Sequence, residues 1–325
     1  MLRPGFLAAL AAVSVSSAAQ ARDFRVSDIY PADTPTVQAL AYMNIIVERQ
    51  SHGRVHIKPP SEADRDSENF TVAQVRNGTL DMARISLPTL NTAIPSTGLL
   101  GAPYLFRSSA HAQSVLEGTI GAEILAEFEQ YGLIGLCFFD AGARSIYTVG
   151  RPVKSIADVN GLRVRAQPGD IASGFWQSFG AVPQVMPYSR INTGLATNAL
   201  DGATGNWVSF VSGGHYKSAK FFSPTEHARP PNVVIFSRQV WLSLPEVDRT
   251  AIANAAREAA IRQRQLMERY EIEARRTVEA AGVTIVPDVD VGSFKAPMQQ
   301  LYEKLYPEPK QQRMLKRIQA AAGGS

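Results

Sequence analysis

The stretch Ser243–Gly282 reads SLPEVDRTAIANAAREAAIRQRQLMERYEIEARRTVEAAG and contains no helix breaker between Pro245 and its final glycine. Ser243 and Glu246 have the spacing of a capping box. Pro245 falls in the first turn, where a missing N–H costs little. At about 1.5 Å per residue, an unbroken helix from Pro245 would run over ~50 Å, longer than a typical small domain. A helix of that length in a chain of 325 residues is expected to lie across two domains.

The rest of the chain divides around it. Upstream, FRVSDIY, RVHIKPP and LDMARIS read as strands. They alternate with the helical patterns TPTVQALAYMNIIVERQSHG and NFTVAQVRNG. A longer helix is expected over SSAHAQSVLEGTIGAEILAEFEQYG, then the strands LIGLCFFD and ARSIYTVG. The character changes near Arg144. A second α/β series begins at SIADVNGLRVRA and continues through the helices DIASGFWQSFG and RINTGLATNALDG to NVVIFS. The expected organisation is residues 22–142 with 232–268 in a first lobe, and 143–231 with 269–325 in a second. Residues 1–21 have an early cation, an apolar run from Phe6 to Val15, and small residues leading to Ala19-Gln20-Ala21. That is the pattern of an export signal, too short to span a bilayer.

Composition excludes several functions. Net charge is +4, but Lys and Arg are scattered, which argues against a nucleic-acid stripe. Cys137 is the only cysteine, so no intrachain disulfide can form, and its apolar setting marks it as a core thiol. His52 and His56 are separated by Gly53 and a strand pattern, so no metal site is expected. No HExxH, G-x-S-x-G or phosphate loop occurs, and no cofactor is expected. What stands out is arginine in apolar context: Arg84 in LDMARIS, Arg144 after FFDAGA, and Arg165 at the end of LRVRA. Each could be an internal ion pair. Three at strand ends also suit a shared anion site, because a guanidinium holds a carboxylate through two parallel hydrogen bonds.

The segments NGTLDMARIS, APYLFRSSAHAQSVLEGTIG, GLRVRAQ, FGAVPQVMPYSRINTGLATNALDG and SRQVWLSLPEVDR resemble, in family order, the substrate-binding subunits of tripartite ATP-independent periplasmic (TRAP) transporters. The resemblance implies a two-lobed α/β periplasmic binding protein with a ligand cleft between the lobes and a long helix spanning both. It implies a monomer that captures a small organic acid and hands it to membrane permease subunits. The arginine of the family motif falls on Arg165, which is expected to enter the cleft while Arg163 stays solvated. Strand alternation puts both on one face, so this reading needs the strand to end or bend at Ala166. By the same resemblance Arg144, Glu68, Arg84, Asn206, Trp207, Gln167 and Tyr30 are expected at the ligand. The DGATGNW segment looks most like the branch with hexuronate binders, but Thr204 stands in place of a glutamate and Gly205 in place of an asparagine. The alternative is an exported hydrolase or lyase acting on acidic sugars, for which no nucleophile–base pair is visible.

Overall fold

The computed structural model describes residues 21–60, 67–166 and 172–321. The export signal up to Gln20, and Gln167, lie outside them. Strand β1 (Arg22–Ser27), β2 (Val55–Lys58), β3 (Met82–Ser86) and β4 (Leu133–Phe139) belong to one sheet; β5 (Arg144–Thr148), β6 (Arg163–Ala166), β7 (Val182–Val185), β8 (Gly202–Gly205) and β9 (Phe221–Ala228) to another. β10 (Asn232–Ser237) returns to the first sheet and β11 (Thr284–Ile285) to the second. The orders are β2-β1-β3-β10-β4 and β11-β9-β5-β8-β6-β7. This is the expected two-lobed α/β architecture.

Strand direction decides what faces the cleft. In the first sheet β1, β2 and β3 run parallel and β10 is antiparallel to β3 and β4. The carboxyl ends of β1, β3 and β4 therefore gather with the first residue of β10. In the second, β6 runs parallel to β7 and β8, while β5 is reversed. The first residue of β5, Arg144, thus lies at the end where β6 delivers Arg165. Open α/β sheets hold ligands outside these carboxyl ends.

The long helix spans Glu246–Ala280, 35 residues, or roughly 52 Å. Its first half presents Ala251, Ala255 and Ala259 toward the helix Pro35–Gln50, small side chains that permit close approach. Its second half buries Ala274 and Val278 among second-lobe residues such as Trp207 and Phe210. The capping box does not form. The helix begins at Pro245 without a side-chain cap, and Ser243 Oγ instead donates to the Val240 carbonyl, closing the short helix Arg238–Leu242.

Midway along, buried Gln263 holds the crossing between lobes. Its amide accepts from the Asp140 N–H (3.0 Å) and donates to the Asp140 carbonyl (2.7 Å). Two residues on, Gly142 has φ 73, and a Cβ there would stand 2.4 Å from Glu271 Oε1. Only glycine fits this turn of the hinge.

Two expectations are corrected. The helix expected over residues 108–132 is broken at Gly118 into Ser109–Glu117 and Thr119–Glu127. The C-terminal stretch is not wholly a second-lobe segment. Asp290 and Ser293 bond to Lys154 and Ile156, but Tyr302 Oη donates to the Pro103 carbonyl and Arg317 pairs with Glu123. Helices Met298–Leu305 and Pro309–Ala320 carry an apolar face (Leu301, Met314, Ile318) that belongs to one core cluster with residues of both lobes, Leu105 and Val115 from the first and Phe175 and Trp176 from the second.

Candidate functional site

A cavity between the sheets is lined by Ile29, Tyr30, Glu68 and Ser86 from the first lobe. Arg144, Tyr147, Arg165, Tyr188, Thr204 and Ser209 line it from the second. The lobes are closed upon it, with Tyr30 edge-on to Tyr188 at 6.1 Å. The remaining space is small, about 40 Å³. A roomier cavity, about 360 Å³, lies between the helices of residues 109–127, β4 and the long helix. Size alone would favour it. Its walls mix aliphatic side chains with Arg229, Arg257 and Arg264, however, and two of these arginines face acids already, Arg264 with Glu117 and Arg229 with Glu226.

Arg163 and Arg165 are separated by position along β6, not by a bend. Arg163 opens the strand and pairs with Asp201 through two nitrogens, at 2.9 and 2.7 Å, with its side chain 42% exposed. Arg165, two residues nearer the cleft end, is 7% exposed and lines the cavity, with Nε donating to the Met186 carbonyl at 3.1 Å. The two can share a face and still meet different surroundings.

Arg144 enters from β5, which lies on the other side of β8 from β6. Its Nη2 donates to the Thr204 carbonyl (2.7 Å) and Thr204 Oγ1 (2.9 Å). Thr204 therefore orients this guanidinium without neutralising it. Gly205 has a different role. A Cβ there would stand 2.5 Å from Ser209 Oγ and 3.2 Å from the Tyr147 ring, so its lack of a side chain keeps two cavity-lining residues in place.

Arg84 occupies another environment. Its Nε donates to Asp28 at 3.0 Å, Nη2 also meets Asp28, and Nη1 donates to Glu68 at 2.9 Å. It is 1% exposed, with its guanidinium over the Tyr30 ring, and is absent from the cavity lining. Burial opposes its charge, but Asp28 and Glu68 more than offset this and push its pKa up. Glu68 does line the cavity, though its Oε1 already accepts from Arg84 and from the Ser86 N–H and Oγ.

Asn206 is the N-cap of the helix Trp207–Ser212 and donates to the Ala141 carbonyl at 2.6 Å. Trp207 stacks on Phe222 at 3.9 Å, carries the Arg275 guanidinium over its ring at 5.0 Å, and is absent from the cavity lining. Its burial is core packing.

Several lining residues were not singled out by sequence, among them Tyr147, Tyr188 and Ser209, nor was His215 behind Tyr147. Tyr147 lines the cavity and its hydroxyl meets His215 Nδ1 at 2.8 Å. Burial, with Arg165 adding repulsion, lowers the His215 pKa to about 4, so the imidazole is neutral at neutral pH. Burial raises the Tyr30 phenol to about 12. The site is thus cationic at Arg144 and Arg165 and otherwise lined by neutral hydroxyls, apart from the engaged Glu68. Such a site suits a carboxylate carrying hydroxyl groups.

Comparison with known proteins bears on the same point. Residues 26–308 match the family model described as bacterial extracellular solute-binding protein, family 7. A solute-binding protein of Chromohalobacter salexigens is 32% identical over 302 residues, covering 93% of this chain and 90% of that one. Among solved structures, a TRAP periplasmic solute-binding protein from a Bradyrhizobium species, in complex with D-galacturonate, superposes with a TM-score of 0.88 at 41% identity, covering 92% of this chain and 99% of the other. One from Xanthobacter autotrophicus, with bound β-D-galacturonate, gives 0.86 at 37% identity, covering 92% and 100%. These proteins are solute binders, not enzymes, which removes the hydrolase or lyase alternative.

Proposed function

Because the chain belongs to the bacterial extracellular solute-binding proteins of family 7, we propose that it captures a hexuronate such as D-galacturonate and delivers it to a TRAP permease. Arg144 and Arg165 hold the carboxylate, and Tyr30, Tyr147 and Ser209 face the hydroxyls. The observation that carries this reading is the arrival of both arginines in one cavity from the strands on either side of β8. Residues 1–21 direct export, and the protein works as a monomer.

Opening about the 140–143 and 229–231 crossings admits the acid, and closure buries it and presents a joint surface to the permease. No further chemistry is required of the chain. The test is a thermal-shift series over D-galacturonate, D-glucuronate, aldonates and C4-dicarboxylates. A ligand at a hundredfold excess over Kd stabilises by about 2.7 kcal/mol, enough for a rise of several degrees. A hexuronate is expected to give the largest rise and to be recovered chemically unchanged. No rise with any hexuronate would refute the assignment.

A further inference from the structure

We propose that Asn232 reads hydroxyl groups at the end of the ligand remote from Arg165, an inference that rests on the sugar-acid reading above. Asn232 opens β10 opposite Ser86 and Phe139, the last residues of β3 and β4. Its backbone is held by ladders on both sides, so its side chain has a fixed origin. The residue is 5% exposed. Yet its amide has no hydrogen-bond partner among the described residues.

Other buried amides in the hinge are engaged. Gln263 is bonded at both ends to Asp140, and Asn206 donates to Ala141 and accepts from the Ser209 N–H. The Asn232 amide is not a sealed polar group but borders open cavity space, so its donor and acceptor are accessible to a group that enters there.

What faces Asn232 identifies the arrival. It lines a second small cavity with Tyr30, Ser86, Arg144, Asn206 and the Pro230–Pro231 crossing. Tyr30, Ser86 and Arg144 also line the arginine cavity, so the two chambers adjoin through these shared residues. An acid anchored at Arg165 and Arg144 extends its carbon chain toward the second chamber. There the prolines offer only apolar surface, and the Asn206 amide is already occupied. Asn232 is the amide left to take a hydroxyl. Having both a donor and an acceptor, it can engage two neighbouring hydroxyls of a sugar. The ligand class is therefore a polyhydroxy acid long enough to fill both chambers, selected over aliphatic acids of equal length.

The test is Asn232→Leu, of the same branched shape and without hydrogen-bonding groups, with Asn232→Ala beside it to separate the effect of leucine's larger volume, each titrated with D-galacturonate and with 2-hydroxyhexanoate. Loss of the amide is expected to weaken galacturonate by about 10- to 100-fold, leaving 2-hydroxyhexanoate unchanged or tighter and the ligand-free melting temperature no lower. Asn232→Ala serves the same purpose if the leucine variant does not fold. Unchanged galacturonate affinity, or equal losses for both acids, would overturn the proposal. Wild-type protein that binds neither acid would overturn it together with the reading on which it rests. Wild type that binds galacturonate through Arg165, with no selective effect at Asn232, would leave that reading standing and remove this one alone.

Discussion

Arg84 in β3 and Arg144 in β5 both stand near the cleft ends of their sheets, one in each lobe. The first lobe surrounds its arginine with acids. Asp28 and Glu68 engage all three guanidinium nitrogens of Arg84, and the side chain is fully buried. Among the described residues, the second lobe gives Arg144 only the oxygens of Thr204. A guanidinium matched by its own lobe is part of the scaffold. One bonded only to neutral oxygen keeps its charge for a ligand. The difference lies in what is placed beside the arginine, not in the arginine.

Substitutions that separate the two arginines test this. Arg84→Met should be the more disruptive to the fold, because it leaves Asp28 buried without its partner. Breaking a buried pair in this way costs about 3–5 kcal/mol, read as a large drop in melting temperature without ligand. Arg144→Met should do the reverse. Stability should change little, while hexuronate affinity falls by about 2–5 kcal/mol, the scale for removing one partner of a buried charged pair. Equal losses of stability in the two variants would break the comparison.

A smaller effect concerns acid. His215 is held neutral, with its pKa depressed to about 4 from an ordinary 6.5. The unfolded chain binds this proton first as pH falls. Stability is therefore fully present above about pH 6.5 and is lost as pH falls toward 4, by at most about 1.4 kcal/mol per unit for this group. His215→Phe should flatten that part of the melting-versus-pH curve, although buried His227, also depressed, keeps some slope. An unaltered curve would show that His215 is not held neutral.

Thr204→Val is expected to have the smallest effect. Arg144 keeps the Thr204 carbonyl and loses only the hydroxyl, so affinity should fall by about 1 kcal/mol, roughly fivefold. No loss would mean that the hydroxyl does not orient the guanidinium.

The long helix was legible because its evidence is local: thirty-six residues between Pro245 and Gly282 without a breaker. Strand positions were legible for the same reason, and so was the placing of a cation at the end of LRVRA. The partners were not. Asp28 reaches Arg84 across 56 positions, and Gln263 reaches Asp140 across 123. No periodicity encodes either contact. Arg84 and Trp207 were accordingly expected at the ligand, whereas one lies in an ion-pair cluster and the other in an aromatic stack. Tyr147 and Tyr188 gave the opposite difficulty. Aromatic residues in apolar runs look like core, and only the strand-end geometry brings their rings to the cavity. Residues 269–325 are expected in the second lobe, whereas Tyr302 and Arg317 also reach Pro103 and Glu123 of the first, contacts that no local pattern encodes.

The most direct measurement is a crystal structure of the protein grown with D-galacturonate. The account predicts the carboxylate between Arg144 and Arg165, within hydrogen-bond distance of both, with the Arg84 pairs to Asp28 and Glu68 unchanged. A sugar acid seated in the larger cavity beside β4, or a carboxylate bound by Arg84 in place of Asp28, would contradict it.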